Sequence, residues 1–426
     1  VGSLACVPLL NTLVPRDFRN AITPQLKRYF LGTVLGCIGN GLTFSMFVIY
    51  VHNVRHFSIW FASMLLVIGA VSGLVCSPII GTLVDKFGPV LVLVPSLILE
   101  AISLVVWAYA HTYFSLVASY FVVAITGGAF WGPGSTLLSR LIDEQHRQRA
   151  FGLNFMFVNL GIGFGGLIAA SIVDLNHTFT FTILYLLNAA TAIGIAIVFT
   201  TLWKYGKRDD SDELTKEQED EGWGDVLRDK RLIRYVSASL ILMLGGYGSQ
   251  EAGFSLFVVN DLKIPVHVIG IMFFCNTTTI IASQLFITNL VENKSRTRVM
   301  AVAGLLWFSF WFILFAALKM PEILAIISIC IGMGIFAIGE TLINPVGSAL
   351  INEIAPEHLR GRYNAASGLT WGVSSMVAAA FTSILFSSNL GSWWPLFIGS
   401  ASLGGSLMML SLRKSLTPKE DGRITQ

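Results

Sequence analysis

The stretch Gly134-Ser135-Thr136-Leu137-Leu138-Ser139-Arg140, followed by Glu144-Gln145-His146-Arg147-Gln148-Arg149, decides how this chain is read, because it occurs twice. At an offset of 213 residues the sequence runs Gly347-Ser348-Ala349-Leu350-Ile351-Asn352-Glu353 and then Glu357-His358-Leu359-Arg360-Gly361-Arg362. A second match, Leu83-Val84-Asp85-Lys86 against Leu290-Val291-Glu292-Asn293, is offset by 207. Two recurrences in the same order at nearly one spacing indicate a duplicated unit, an arrangement common in secondary transporters.

Around these motifs the chain is 54% hydrophobic and 12% charged over 426 residues, against roughly 25% charged in soluble domains. That composition excludes a soluble globular enzyme. A membrane helix needs about 20 apolar residues, and twelve such runs are legible. Six lie at 30–50, 59–84, 90–110, 113–139, 151–173 and 179–203, and six at 232–259, 266–291, 299–318, 323–351, 364–387 and 394–412. The expected fold is an all-α integral membrane protein of twelve transmembrane helices in two pseudo-symmetric six-helix halves. Its parts are an N-terminal segment (1–27), a first half (28–203), a linker (204–231), a second half (232–412) and a C-terminal tail (413–426).

Charge placement tests the count, since Lys and Arg collect on the cytoplasmic side. With both termini inside, all of the 28 Lys and Arg except Arg55, Lys263 and Lys319 fall inside. The linker carries Asp209, Asp210, Asp212 and Glu213 among basic residues and reads as a solvated connection. The five cysteines (Cys6, Cys37, Cys76, Cys275 and Cys330) have no metal-ligand or disulfide-framework spacing, so no metal site is expected. A sequon at Asn176 falls outside and would matter only in a secretory-pathway cell. No nucleotide-binding loop occurs, so no cofactor is expected, and the energy comes from an ion gradient or transport is passive.

The segment Gly81-Thr82-Leu83-Val84-Asp85-Lys86-Phe87-Gly88 has glycines for a tight reversal and an acid able to meet a helix N-terminus. It resembles the G-x-x-x-D-R-x-G-R-R signature of the major facilitator superfamily, with Lys86 in place of Arg and Pro89 and Val90 where basic residues usually stand. Helix 10, Ile338-Gly339-Glu340 through Asn344-Pro345, and the following Ala355-Pro356-Glu357 through Tyr363 resemble the drug:proton antiporter branch. Gly161-Ile162-Gly163-Phe164-Gly165-Gly166 partly matches that branch's helix 5 motif, while Val123 stands where its helix 4 arginine is found. The resemblance implies a central site between two rocking halves, lined by helices that include 7 and 10.

Glu100, Glu251 and Glu340 are the acidic residues well inside the spans. An ionised carboxylate at the bilayer centre costs at least about 2.5 kcal/mol, so each is a functional candidate, and a carboxyl deprived of water is suited to proton exchange. Glu340 leads, with Asn344 one turn away; Glu251 follows, beside Tyr247 and Gln250; Glu100 competes with a packing role. The expected cavity residues are Asn40, Trp131, Asn154, Tyr247, Gln250, Asn276, Gln284, Asn344 and Trp371. Such a set suits an amphipathic neutral or cationic compound better than a multiply anionic one. Gly81, Asp85, Lys86 and Gly88, with Arg140, Arg147, Glu353 and Arg360, form the expected latch closing the inner side.

The function expected is proton-coupled export of amphipathic small molecules such as drugs or antibiotics. The setting is a bacterial cytoplasmic membrane, with protons, substrate and lipid as partners, no nucleic acid, and a monomeric chain. Symport of a nutrient, flipping of a lysolipid, and a non-transporting membrane sensor are the alternatives.

Overall fold

The computed structural model describes residues 16–44, 46–47, 50–174, 177–206, 222–388 and 390–423. Most of the N-terminal segment, the acidic cluster of the linker, Cys6 and Asn176 lie outside the described residues. Among the described residues every regular element is a helix. The long ones are α1 (Pro24–Phe44), α2 (Ile59–Phe87), α3 (Pro89–Ala108), α4 (Tyr113–Arg140), α5 (Arg147–Ile172) and α6 (Phe179–Thr200). They continue as α7 (Lys230–Met243), α8 (Val266–Leu290), α9 (Arg296–Ala316), α10 (Glu322–Ile354), α11 (Arg360–Ser387) and α12 (Trp394–Leu412).

Among the described residues ten helices, α2–α6 and α8–α12, are long and apolar enough to cross a membrane. The first and seventh expected spans differ for physical reasons. In α1 the polar Lys27, Arg28, Thr33 and Asn40 dilute 21 residues, and α7 ends in two consecutive π-helical segments, Leu244–Gly248 and Gln250–Phe254, before a last turn at Ser255–Asn260. The backbone at Gly246 (φ −116°, ψ −112°) leaves helical geometry altogether. The carbonyl of Gly245 freed by this break accepts from Trp311 Nε1 at 2.5 Å and Ser402 Oγ at 2.7 Å, so this carbonyl is not stranded in an apolar layer.

Helix packing carries the duplication into space. α1 packs on α5 and α6, α3 on α4 and α6, and α2 on α4. In the same way α7 packs on α11 and α12, α9 on α10 and α12, and α8 on α10. The seam between the two sets is made by α2 against α11 and by α8 against α5, again a pair related by six positions. One continuous core of buried residues runs from Val226 to Leu416, around Trp307, Phe310, Trp311, Phe336 and Trp394. Two further cores, around Tyr29, Phe151 and Phe199 and around Tyr50, Trp107 and Tyr185, fill the first set.

Local sequence accounts for the helix ends. Ser58 caps α2, Thr112 and Ser115 form a reciprocal capping box on α4, and Ser295 caps α9. Gly88 joins α2 to α3 with φ 86°, a left-handed conformation that glycine adopts without strain, and its N–H closes on Val84 O at 2.8 Å.

Candidate functional site

A cavity of about 440 Å³ opens chiefly between α1, α4 and α5 on one side and α7, α10 and α11 on the other, a size typical of small-molecule sites. Trp131, Asn154, Tyr247, Asn344 and Trp371 line it as expected from the sequence. Among the described residues no Asp, Glu, Lys, Arg or His does. Trp131 and Trp371 are each 52% exposed, and Asn154 Oδ1 accepts from Thr33 Oγ1 at 3.2 Å. Near the wall, Ser135 donates to Asn364 Oδ1 at 3.0 Å and Asn364 Nδ2 donates to Asn352 Oδ1 at 3.0 Å. This polar knot ties α4, α10 and α11 together. Sequence reasoning missed it, although Asn352 and Asn364 sit beside the repeated motif.

Four expected cavity residues lie elsewhere. Gln284 is fully buried behind α10, where Pro345 has removed the N–H that would serve Thr341 O. The Gln284 amide donates to that carbonyl at 3.3 Å and to Thr288 Oγ1 at 2.9 Å, so it patches a proline break. Gln250 is buried with its amide 4.0 Å from Met333 Sδ, Asn276 is turned to Glu340, and Asn40 lines a separate small cavity.

The three carboxyls have different settings. Glu340, 4% exposed, does not line the large cavity, because its side chain points across to α8, where Asn276 Nδ2 donates to Oε2 at 2.5 Å. The next residue on the same helical face links it to the cavity: Asn344 Nδ2 donates to Tyr247 Oη at 2.6 Å and to the Glu340 carbonyl at 3.2 Å. Glu251 is exposed on the π-helical segment after α7 and accepts from Ser375 Oγ of α11 at 3.2 Å. Glu100 of α3 is buried beside Asn40 in the small cavity. Among the described residues no cation pairs with any of the three.

At the basic end of the bundle, Asp85 Oδ1 accepts from Gly361 N at 2.5 Å and Oδ2 from Arg362 N at 3.1 Å, with the Arg362 guanidinium 3.6 Å away. The carboxylate thus caps the N-terminus of α11, where the helix dipole favours negative charge. Gly81 permits the approach, since a Cβ there would lie 2.7 Å from Ala365 Cβ. Arg140 adds its field at Asp85. Lys86 does not join the latch, being exposed with its ammonium 5.4 Å from the Phe87 ring.

Glu353 gathers Arg147 at 3.4 Å, Lys419 at 3.7 Å and Arg296 at 4.0 Å. Arg360 instead pairs with its i−3 neighbour Glu357 at 2.8 Å, because its side chain rises from the first turn of α11 toward the preceding loop. The second half of the latch went unseen in the sequence: Arg149 pairs with Glu292, and with Asp17 at 2.7 Å. Its signal was present, since Glu292 and Arg149 are the repeat mates of Asp85 and Arg362. Burial pushes the Glu292 carboxyl above the usual range against the pull of Arg149, whereas Arg149 holds Asp17 below it. The C-terminal tail docks here too. Asp421, fully buried, accepts from Thr297 N at 2.9 Å and Ser295 Oγ at 2.7 Å and so covers the N-terminus of α9.

A family model described as Major Facilitator Superfamily matches residues 29–259 and 247–425. The chain is 22% identical over 374 residues to a Na(+), Li(+), K(+)/H(+) antiporter of Planococcus maritimus, covering 79% of this chain and 84% of the relative. It is 25% identical over 300 residues to the multidrug resistance protein MdtH of Klebsiella pneumoniae (strain 342), covering 68% and 69%. Among solved structures, a bacterial homologue of the iron transporter ferroportin in an outward-facing state superposes with a TM-score of 0.75 at 12% identity, over 92% of this chain and 100% of the other. The human organic anion transporter MFSD10 (TETRAN) gives 0.66 at 15% identity, over 92% and 99%. Family and fold both point to a transporter and away from an enzyme.

Proposed function

The chain belongs to the major facilitator superfamily, and from that premise we propose that it exports amphipathic small molecules across a bacterial cytoplasmic membrane in exchange for protons. The observation that carries this reading is the pairing of a large cavity, walled by aromatic and neutral polar groups, with the buried Glu340 carboxyl, which bonds Tyr247 of that wall from behind. The name of the MdtH relatives supports an efflux role.

Residues 28–203 and 232–412 act as the two rocking halves, and the basic end faces the cytoplasm with both termini, by the positive-inside rule. The N-terminal segment, the linker and the tail lie on that side. The chain works as a monomer, and the proton gradient is its energy source. Protons reach Glu251 from the outer side and settle on Glu340. Protonation removes the charge that orders the Asn276 amide and the Tyr247 hydroxyl and so resets the Tyr247 wall, and substrate and proton are coupled through the wall and do not compete for one space. The aromatic lining, Phe130, Trp131, Phe151, Phe155 and Trp371 among the described residues, matches the apolar and aromatic surface of the substrate, which supplies its affinity.

The test is transport in proteoliposomes under an imposed pH gradient, with one cationic and one neutral amphipathic dye. Wild-type protein accumulates dye against its gradient, and Glu340→Gln only equilibrates it. Failure of wild type to move either dye overturns the reading. A second reading, exchange of monovalent metal ions for protons, is supported by the name of the Planococcus relative. Replacing the dye by sodium in the same vesicles separates the two.

A further inference from the structure

We propose that the first set of helices holds its own binding site for one monovalent metal cation of sodium or lithium size, formed by the Glu100 carboxylate with the amide oxygens of Asn40 and Asn188. The three residues come from α3, α1 and α6 and line one small enclosed cavity of about 40 Å³. It is separate from the large one, and the two share the side chains of Phe130 and Trp131 as a common wall.

Glu100 is 8% exposed, lines this cavity, and has no hydrogen-bond or ion-pair partner among the described residues. Leaving a carboxylate so deep in an apolar bundle without a partner is unfavourable by several kcal/mol. A bound cation removes that cost. The neighbouring amides are poised to help: Asn188 Nδ2 is committed to Thr43 Oγ1 at 3.0 Å, which fixes the amide plane. Its Oδ1 keeps acceptor capacity, because the single Thr191 hydroxyl proton is directed to the nearer Asn188 backbone carbonyl at 2.7 Å, with the Thr191 Oγ1 3.4 Å from Oδ1. The Asn40 side chain makes no hydrogen bond to the protein among the described residues.

Charge and size select the ligand. A single carboxylate with neutral oxygens neutralises one positive charge, and no other Asp, Glu, Lys, Arg or His lines the cavity. A divalent ion would leave a net charge buried in the bundle, which is strongly unfavourable. All-oxygen donors suit a hard cation, and a cavity of about 40 Å³, roughly three times the space one water requires, admits a small cation with one or two of its waters and excludes a fully hydrated ion. Because Phe130 and Trp131 face both cavities, occupancy of the small one sets the position of a wall of the large one. The site requires neither the export reading nor Glu340.

The test is thermal unfolding of the purified full chain in detergent, followed in sodium, lithium or potassium chloride against choline chloride at equal ionic strength. Sodium and lithium at about ten times Kd raise the midpoint by roughly 1.5 °C over choline, and potassium raises it less. Glu100→Gln abolishes the rise, and Glu340→Gln keeps it. Gly127→Val provides a second variant if Glu100→Gln does not fold: a Cβ at Gly127, on the cavity wall, meets nothing within 4 Å, so the larger side chain fits and takes the ion's space. Equal midpoints in sodium, lithium and choline for wild type would show Glu100 to be a proton-only or packing group and overturn the proposal. Retention of the sodium response by both Glu100→Gln and Gly127→Val would overturn it as well. Since the readout is binding, dye export can fail while this result stands, and the converse.

Discussion

Substituting Asp85 by Asn tests how the basic end is held shut. In the structure its two oxygens take the first free N–H groups of α11, from Gly361 and Arg362, while Arg362 and Arg140 supply positive field. Asn keeps one acceptor but loses the charge and the second acceptor. A charge at a helix N-terminus contributes up to ~2 kcal/mol in a partly buried setting, and a hydrogen bond to a charged group contributes about 1.5–3 kcal/mol. Allowing for the acceptor that Asn retains, we expect the closed state to lose about 2 kcal/mol, or about 30-fold in the closed-to-open ratio. A cysteine at Ser139, which is 1% exposed behind the latch, reports opening when the native cysteines have been replaced. Its labelling by a membrane-impermeant maleimide from the basic side should accelerate by about that factor in Asp85→Asn. Lys86→Ala, whose ammonium lies away from the latch, should leave the rate unchanged. Equal rates for wild type and Asp85→Asn, or equal acceleration by Lys86→Ala, would refute the reasoning.

Gln284→Leu should lower stability by about 1–3 kcal/mol, because Thr341 O is then buried without a donor. Adding Pro345→Ala restores an N–H and should recover most of the loss, and a double-mutant cycle of unfolding midpoints reads the coupling; additive effects would sink the idea. Trp131→Ala and Trp371→Ala should each weaken binding of an aromatic substrate by roughly tenfold or more, measured by equilibrium binding, since both rings are open to the cavity. Asp421→Ala should cost about 3 kcal/mol, because it strips acceptors from Thr297 N and the Ser295 and Thr297 hydroxyls at once. Limited proteolysis of the tail checks it, and unchanged protection would count against the docking described above.

The fold was legible because it rests on quantities that a sequence displays directly: apolar length, placement of Lys and Arg, and a repeat. The repeat even contained the second latch pair, since its two matched segments put Glu292 and Arg149 where Asp85 and Arg362 stand. What spacing could not show is the direction in which a side chain points from its helix. Glu340 and Asn344 are one turn apart, yet the first turns to α8 and only the second meets the cavity wall. Gln284 read as a cavity group because a buried amide in an apolar run has no visible partner. That partner is a carbonyl vacated by a proline 61 residues away in sequence, which only the packing of α8 on α10 brings near. The break in α7 was hidden for a similar reason: consecutive glycines are compatible with a continuous helix, and the Trp311 and Ser402 groups that stabilise the departure come from α9 and α12.

The two fastenings across the seam are mates by sequence but unequal in make. Asp85, with a side chain 6% exposed, is bonded to backbone that cannot swing away, whereas Glu292, 20% exposed, holds only the mobile end of Arg149. Water and salt compete for the second and barely reach the first. In the rocking cycle proposed above, parting of the halves would therefore start along the α5–α8 flank and run toward α2–α11, so that two fastenings duplicated in sequence release in a fixed order that the duplication by itself does not set.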